Sequence, residues 1–189
     1  MAAPPTPPLI LASTSPRRRE ILAQLGIPFE VVAPRYDETS GDPVEHALGK
    51  ARSAGPSDGR PVLGCDTEVI CDGRVYGKPE TEQDAEEMLD SLAGKTHEVV
   101  SGLALLTPAW EEVHREVTRV TFRPLTAREL AHYLASGEWE GRAGAYAIQG
   151  LGASLVERIE GDYLNVVGLP GALLVRLLAQ RFAGVYGFG

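Results

Sequence analysis

Lysine and cysteine are scarce in this sequence of 189 residues, and it has no long apolar run. Of its 18 basic residues only three are lysines, namely Lys50, Lys78 and Lys95, and the formal net charge is −8. A general nucleic-acid groove is not expected, because long polyanions bind to broad basic surfaces. A small anion needs only a few converging cations, so each lysine is a candidate partner for one.

The two cysteines, Cys65 and Cys71, lie six residues apart in an apolar segment. They form no Cys-x-x-Cys motif, and no second pair exists, so neither a zinc site nor a disulfide framework is indicated. No run reaches the ~18 to 20 apolar residues that a membrane-spanning helix needs. The N-terminal MAAPPTPP lacks the basic and apolar parts of a secretory signal. We expect a cytoplasmic protein that binds neither membranes nor nucleic acid.

Composition and length predict one folded domain or two closely packed lobes. Hydrophobic residues make up 43% and charged residues 23%, which is ordinary for a globular protein. The chain is ~1.3 times a typical 150-residue domain. Prolines near the start predict a disordered tail over residues 1–8, and the Gly-rich end predicts a second tail over residues 184–189. The folded domain would then cover residues 9–183.

Strand and helix patterns alternate along the chain. Apolar or alternating segments predict strands, and apolar residues at helical spacing predict helices. Asp72-Gly73 predicts a hairpin turn with a short return strand, and Thr126 with Glu129 predicts a capping box. The predicted strands cover residues 9–13, 29–34, 61–71, 97–107, 111–125 and 153–162, and the predicted helices cover residues 16–25, 43–54, 81–94, 126–136 and 170–182. Hairpins among helices indicate a mixed α/β sheet covered by helices, rather than a purely doubly wound one.

The segment STSPRRRE is the first candidate site. If Ser15 is the N-cap and Pro16 the first helical residue, the first-turn amides and the positive end of the helix dipole face the preceding loop. Arg17 and Arg18 would add guanidinium groups suited to phosphate oxygens. The alternative is an ordinary capped helix with a solvated arginine face.

The segment VLGCDTEV is the second candidate. Asp66 and Glu68 share one face of the predicted strand, and an ionisable residue in an apolar strand is costly unless it is paired, bound to a metal or placed in a cleft. Two carboxylates on one face suit Mg²⁺ or general-base chemistry. The alternative is a strand end turned to solvent. Lys78, in the following GKP loop, would lie near this strand or be an ordinary solvated lysine.

The segment AGAYAIQGLG is the third candidate. Its small residues allow the backbone to approach a ligand, while the Gln149 amide offers both a donor and an acceptor for a base. The alternative is a Gly-rich connector around a buried Tyr146. The histidines have no metal-binding spacing, so we expect them to be structural or surface residues. They are His46, His97, His114 and His132.

Taken together and in order, LILASTSPRR, VLGCDTEVI, GKP, AGAYAIQG and NVVGLP strongly resemble the motifs of the Maf proteins. These are nucleoside triphosphate pyrophosphatases first named for inhibition of septum formation. The resemblance covers residues 9–182. It implies a mixed α/β, two-lobed fold with a central cleft, similar to the inosine triphosphate pyrophosphatases, and a catalytic domain over residues 9–183.

The resemblance also implies site residues. The phosphate end of the site would be lined by Ser13, Ser15, Arg17 and Arg18, and the pocket would be completed by Glu38, Lys50, Asp66, Lys78 and Gln149. Arg17, Thr67 and Gln149 match the branch that acts on dTTP and UTP, rather than the branch that acts on methylated GTP. Cys65 departs from the small residue frequent at its position, which puts nothing catalytic in doubt.

The implied reaction is metal-assisted hydrolysis of a nucleoside triphosphate to the monophosphate and pyrophosphate. Glu38 and Asp66 would hold Mg²⁺ or Mn²⁺, and Asp66 would orient and deprotonate the water that attacks the α-phosphorus. Arg18, Lys50 and Lys78 would neutralise charge on the phosphates. Two alternatives stay open: purine or methylated-GTP specificity on the same fold, and a non-enzymatic regulator of septum formation. The resemblance leaves a homodimer open.

Overall fold

A computed structural model describes residues 6–39, 41–55 and 59–189 of the chain. Within these ranges it contains strands and α-helices in alternation, together with two short 3₁₀ helices at Ala143–Ala145 and Gly150–Leu155. The strands are β1 (Leu9–Leu11), β2 (Phe29–Val31), β3 (Val62–Cys71), β4 (Arg74–Tyr76), β5 (Thr96–Leu106), β6 (Glu111–Phe122) and β7 (Val156–Glu160). The α-helices are α1 (Pro16–Gln24), α2 (Pro43–Ala54), α3 (Glu82–Leu92), α4 (Ala127–Leu134), α5 (Tyr163–Val167) and α6 (Gly171–Phe182).

The strands form one mixed sheet in the order β2-β1-β3-β5-β6-β7, with β4 paired to β3. Strand β1 is parallel to both β2 and β3, and helices occupy the connections between these strands, as parallel pairing requires. The β3–β4 and β6–β7 pairs are antiparallel. The expected mixed α/β fold class is therefore confirmed.

The chain divides into two compact units. Unit 1 comprises the described residues of Met1–Asp66, Ser101–Glu116 and Gly168–Gly189. Unit 2 comprises Thr67–Val100 and Val117–Val167. The boundary in β3 falls between Asp66 and Thr67, so Asp66 belongs to unit 1, whereas Thr67 and Glu68 belong to unit 2.

In unit 1, helix α2 packs closely on the sheet because β3 and β5 each have a glycine where the helix crosses them. A Cβ at Gly64 would overlap the carbonyl oxygen of Ala47, and a Cβ at Gly102 would overlap that of Pro43. A small-residue core lies at this interface, and its buried members are Ile10, Ala12, Ala47, Ala51, Val62, Ala104 and Leu106. The close approach sets the position of the side chains that α2 directs toward Asp66 on β3.

Two segments after the Gly-rich loop differ from the sequence prediction. Residues 153–155, expected to begin a strand, belong to the 3₁₀ helix Gly150–Leu155. The physical reason is that the amides of Leu151 and Gly152 donate to the Glu138 carboxylate, which fixes a helical turn ahead of β7. The NVVGLP segment, which lies outside the predicted helices except for its final proline, begins within α5.

Both chain ends contribute contacts within unit 1. The Thr6 hydroxyl donates to the carbonyl oxygen of Val185 at 2.9 Å. Tyr186 is buried and its ring lies edge-on to Phe182, so the C-terminal segment is docked. Residues 1–5 of the predicted N-terminal tail lie outside the described residues. No described helix combines the length and apolar character that a membrane span requires.

Candidate functional site

The start of helix α1 carries the first group of predicted site residues. Ser15 occupies the N-cap position, but its side chain does not cap the helix, and its own backbone amide donates to Ser13 Oγ at 3.2 Å. Arg18 Nη1 also donates to Ser13 Oγ, at 3.0 Å, and Arg18 Nε donates to the Gly168 carbonyl oxygen at 2.9 Å. The buried Ser13 hydroxyl thus holds the helix entry and the Arg18 guanidinium together.

Arg17 lies on the same first turn, beside the same glycine. A Cβ at Gly168 would lie 3.9 Å from Arg17 Nε, and Gly168 has a φ of 133°, which a larger residue would strain to adopt. Both arginines therefore flank the backbone of the NVVGLP motif. Two guanidinium groups at a helix N-terminus form a suitable site for phosphate oxygens.

Asp66 is in the middle of β3 and is the last residue of this strand that belongs to unit 1. It lies in a cluster of charged side chains. Lys50 Nζ lies 2.5 Å from Asp66 Oδ1 and 2.6 Å from Glu38 Oε1. His46 Nδ1 lies 3.3 Å from the other oxygen, Asp66 Oδ2. Lys50 and His46 are buried and Asp66 is mostly so, whereas Glu38 is half exposed. The structure therefore brings together the predicted residues Glu38, Lys50 and Asp66.

Helix α2 supplies two members of this cluster because His46 and Lys50 are one turn apart on one face. The helix starts at Pro43, where the Asp42 carboxylate accepts a hydrogen bond from Val44 N at 2.9 Å. The histidines were expected to be structural or surface residues, and this expectation did not anticipate that His46 contacts Asp66. Only its four-residue spacing from Lys50 could have suggested it.

The arginine group and the Asp66 cluster are neighbours within unit 1. The Gly168 carbonyl oxygen accepts the hydrogen bond from Arg18 Nε, and Cys65 Sγ lies 3.6 Å from the same oxygen. Cys65 directly precedes Asp66 in the chain. The part of β3 that carries Asp66 is thereby fixed beside the helix that carries the arginines.

The remaining predicted site residues, Thr67, Lys78 and Gln149, belong to unit 2. Gly144 N donates to the Gly77 carbonyl oxygen at 3.1 Å, which joins the Gly-rich loop to the residue before Lys78. A Cβ at Gly144 would lie 3.0 Å from Val69 Cγ2 on β3. The GKP loop, the Gly-rich loop and the strand bearing Thr67 thus meet at one glycine. Lys78 is exposed, and Thr67 and Gln149 are half-buried.

Buried polar side chains hold the Gly-rich loop in unit 2. His97 Nε2 lies 2.9 Å from the Tyr146 hydroxyl oxygen, and Ala147 N donates to the Tyr133 hydroxyl oxygen at 3.0 Å. Burial lowers the pKa of His97 to about 4 and raises the pKa of Tyr133 to about 12. It raises the pKa of Tyr146 as well. At neutral pH these groups are uncharged, so they bond the loop without introducing a charge.

Glu38, His46 and Asp66 could together hold a metal ion. One ligand atom from each lies within 4.8 Å of the others. The two carboxylates already share one cation, the Lys50 ammonium, so their oxygens converge on a position that accepts positive charge. Carboxylate oxygens suit Mg²⁺ and Mn²⁺, and an imidazole nitrogen suits transition metals such as Mn²⁺ better than it suits Mg²⁺. The donor set therefore fits a divalent cation.

Comparison with known proteins agrees with the order of the motifs. A family model described as Maf-like protein matches residues 8–181. A dTTP/UTP pyrophosphatase of Moorella thermoacetica is 49% identical over 190 residues, covering 95% of this chain and 97% of that protein. The protein of the same description from Deinococcus radiodurans is 45% identical over 196 residues, covering 100% of both chains. That from Halalkalibacterium halodurans is 46% identical over 179 residues, covering 90% and 94%. The chain belongs to the Maf family.

Proposed function

We propose that this protein hydrolyses dTTP and UTP to the nucleoside monophosphate and pyrophosphate. The observation that carries the proposal is the largely buried Asp66 carboxylate, held by Lys50 and His46 beside two arginines at a helix N-terminus. Near full-length relatives that are 45% and 49% identical to this chain are described as dTTP/UTP pyrophosphatases. Its cellular role would be to remove unwanted nucleotides before a polymerase uses them.

The α1 residues would bind the triphosphate. Ser13 fixes Arg18 through a 3.0 Å hydrogen bond, so the guanidinium is oriented before substrate arrives. Arg17 and the Ser15 turn would contact further phosphate oxygens. Preorganised cations lower the free energy of a phosphoryl-transfer transition state because they are not reoriented as charge develops.

Asp66 would orient and deprotonate the water that attacks the α-phosphorus. Its two oxygens contact different partners, Lys50 and His46, so the carboxylate plane is fixed relative to helix α2. Lys50, together with Lys78 and Arg18, would neutralise negative charge on the phosphoryl oxygens and on the leaving pyrophosphate.

Glu38 and Asp66, joined by His46, would hold the divalent cation, which we propose to be Mg²⁺ or Mn²⁺. When bound, such a cation supplies Lewis-acid neutralisation of phosphate charge. Lys50 contacts both carboxylates, and its ammonium would balance their negative charge together with the cation.

Thr67 and Gln149 would determine the choice of base. The imide edge of thymine or uracil offers acceptor, donor and acceptor groups, and the Gln149 amide can meet a donor or an acceptor. A carboxylate at this position can only accept, so we expect Gln149→Glu to lower kcat/KM for dTTP and UTP by about tenfold or more, and that for a guanine nucleotide by less. Equal losses on all nucleotides would contradict a role of Gln149 in base recognition.

Two alternatives are less well supported. A purine or methylated-GTP specificity would suit a carboxylate at position 149 better than the glutamine found there. A non-enzymatic regulator of septum formation has no use for a largely buried aspartate held between a lysine and a histidine. A cytoplasmic location and a homodimer are also proposed, the former because the number and spacing of the cysteines indicate no disulfide framework.

The proposal is tested with a panel of nucleotides in the presence of Mg²⁺ or Mn²⁺, with pyrophosphate and orthophosphate measured separately. We expect dTTP and UTP to be the best substrates and pyrophosphate to be the first product. Orthophosphate and a nucleoside diphosphate as first products would overturn the proposal, because they place the attack at the γ-phosphorus.

A further inference from the structure

The 3₁₀ helix that follows Gln149 is capped by the side chain of Glu138, a residue outside the helix. Gln149 occupies the N-cap position of this helix, Gly150–Leu155, and its side chain makes no capping hydrogen bond. Leu151 N donates to Glu138 Oε1 at 2.9 Å, and Gly152 N donates to Glu138 Oε2 at 3.0 Å. These two amides are the ones that an N-cap side chain normally satisfies.

The same carboxylate fixes the backbone on the C-terminal side of Gln149. Gly150 has a φ of 63°, in the left-handed region, and a Cβ there would overlap the Glu138 carboxylate. The turn that leads from Gln149 into the helix is therefore closed against Glu138. Any shift of that carboxylate changes the direction in which the turn leaves residue 149.

The backbone on the N-terminal side of Gln149 is also held. Ala147 N donates to the Tyr133 hydroxyl oxygen at 3.0 Å. Ala145, although not glycine, has a φ of 60°, a left-handed conformation that persists only where neighbouring contacts hold it. Gln149 thus lies between two anchored amides, those of Ala147 and Leu151.

We propose that Glu138 is a positioning residue for base selection and acts through Gln149. By satisfying the first-turn amides, its carboxylate leaves the Gln149 amide uncommitted to its own helix and fixes the backbone from which that side chain projects. Without Glu138, the unsatisfied amides of Leu151 and Gly152 would attract the glutamine side chain. This inference rests on the proposed contact between Gln149 and the substrate base.

The test compares base selectivity, defined as kcat/KM for dTTP divided by kcat/KM for dGTP, in two variants and the unmodified protein. Glu138→Gln can accept from only one of the two amides, and we expect its selectivity to fall about fivefold or more. The matched control is Glu140→Gln, at an exposed glutamate two residues away, whose selectivity should equal that of the unmodified protein. A purely structural role would lower kcat/KM for both nucleotides equally and leave their ratio unchanged, which would overturn the proposal.

A double-mutant cycle tests whether Glu138 acts through Gln149. In a Gln149→Ala background, Glu138→Gln should cause no further loss of selectivity, because the side chain that it positions is already absent. Additive losses would overturn the proposal. If Gln149→Ala alone leaves the selectivity unchanged, the proposed base contact itself is wrong, an outcome distinct from failure of the Glu138 role.

A second variant covers the case in which Glu138→Gln does not fold. Glu138→Asp keeps the charge but is one methylene too short to reach both amides. Its selectivity should therefore lie between that of the unmodified protein and that of Glu138→Gln. Amide hydrogen exchange at Leu151 and Gly152 should be slow in the unmodified protein and faster in this variant. Selectivity equal to that of the unmodified protein, despite faster exchange, would contradict the proposal.

Discussion

The ammonium of Lys50 lies 2.5 Å from Asp66 Oδ1, inside unit 1, and is buried there with a second carboxylate from Glu38 at 2.6 Å. A buried ammonium requires such partners, because an uncompensated charge away from water is strongly destabilising. Since two carboxylates share it, loss of either one leaves the lysine paired. The cluster can therefore be altered at Asp66 without loss of the fold.

Asp66→Asn is expected to keep the fold and to lower kcat for dTTP hydrolysis by about 10² or more, the size expected when a general base or metal ligand is lost. Steady-state kinetics and a thermal melt provide the measurement. The control is Asp72→Asn, an exposed partner of Lys95 in a hairpin turn that asparagine also favours. Near-native turnover of Asp66→Asn would show that another group activates the water.

His46→Phe is expected to raise the Mn²⁺ concentration needed for half-maximal activity by roughly 10- to 100-fold, because it removes the imidazole from the Glu38 and Asp66 donor set. Phenylalanine retains the edge contact with the Tyr36 ring. Direct Mn²⁺ binding, followed by electron paramagnetic resonance, should weaken in parallel. His132→Phe, at an exposed histidine, should leave both measurements unchanged. Unaltered Mn²⁺ binding in His46→Phe would remove His46 from the donor set.

Gly64→Ala is expected to lower the free energy of unfolding by about 1 to 3 kcal/mol, because its Cβ would overlap the Ala47 carbonyl oxygen on α2. The displaced helix carries His46 and Lys50, so activity should fall as well. Urea unfolding and dTTP kinetics measure the two effects. At Gly41 a Cβ meets nothing within 4 Å, and Gly41→Ala is the control. Equal stability of the two variants would contradict the close approach of α2 to β3.

His97 should make stability depend on pH between about 6.5 and 4. Burial lowers the pKa of this histidine from 6.5 to about 4. In this window the unfolded chain binds a proton that the folded chain does not, so stability is lost as the pH falls, by about 3 kcal/mol in total. His97→Gln has no titrating imidazole and should lose less stability over the same window. Urea unfolding at pH 7, 5.5 and 4 compares the unmodified protein with His97→Gln. If the free energy of unfolding falls equally in both as the pH is lowered, His97 titrates normally in the fold.

Local sequence signals predicted several elements closely. The helix predicted at residues 43–54 has those bounds, since proline starts it and Gly55, with a φ of 68°, ends it. The predicted capping box of Thr126 and Glu129 is present, and Thr81 caps the helix predicted at residues 81–94. Such signals depend only on residues close together in the chain, which is why sequence alone reveals them.

The site depended on contacts that local patterns do not encode. Glu38 carried no signal by itself, and Lys50 stood out only as one of three lysines. Both were assigned to the site through the resemblance to a family. His46 contacts Asp66, 20 positions away, because Gly64 has no side chain and α2 can therefore pack closely on the sheet. The strand predicted at residues 153–162 began too early because the Glu138 carboxylate, which starts a helical turn there, is distant in sequence.

Hydrolysis of dTTP in water enriched with ¹⁸O tests the central claim most directly, because it reports which phosphorus the water attacks. After one turnover with divalent metal, mass spectrometry should find the label in dTMP and none in pyrophosphate. The Asp66→Asn variant should form labelled dTMP about 10² times more slowly. Label in pyrophosphate or in orthophosphate would contradict water attack at the α-phosphorus, and with it the role assigned to Asp66.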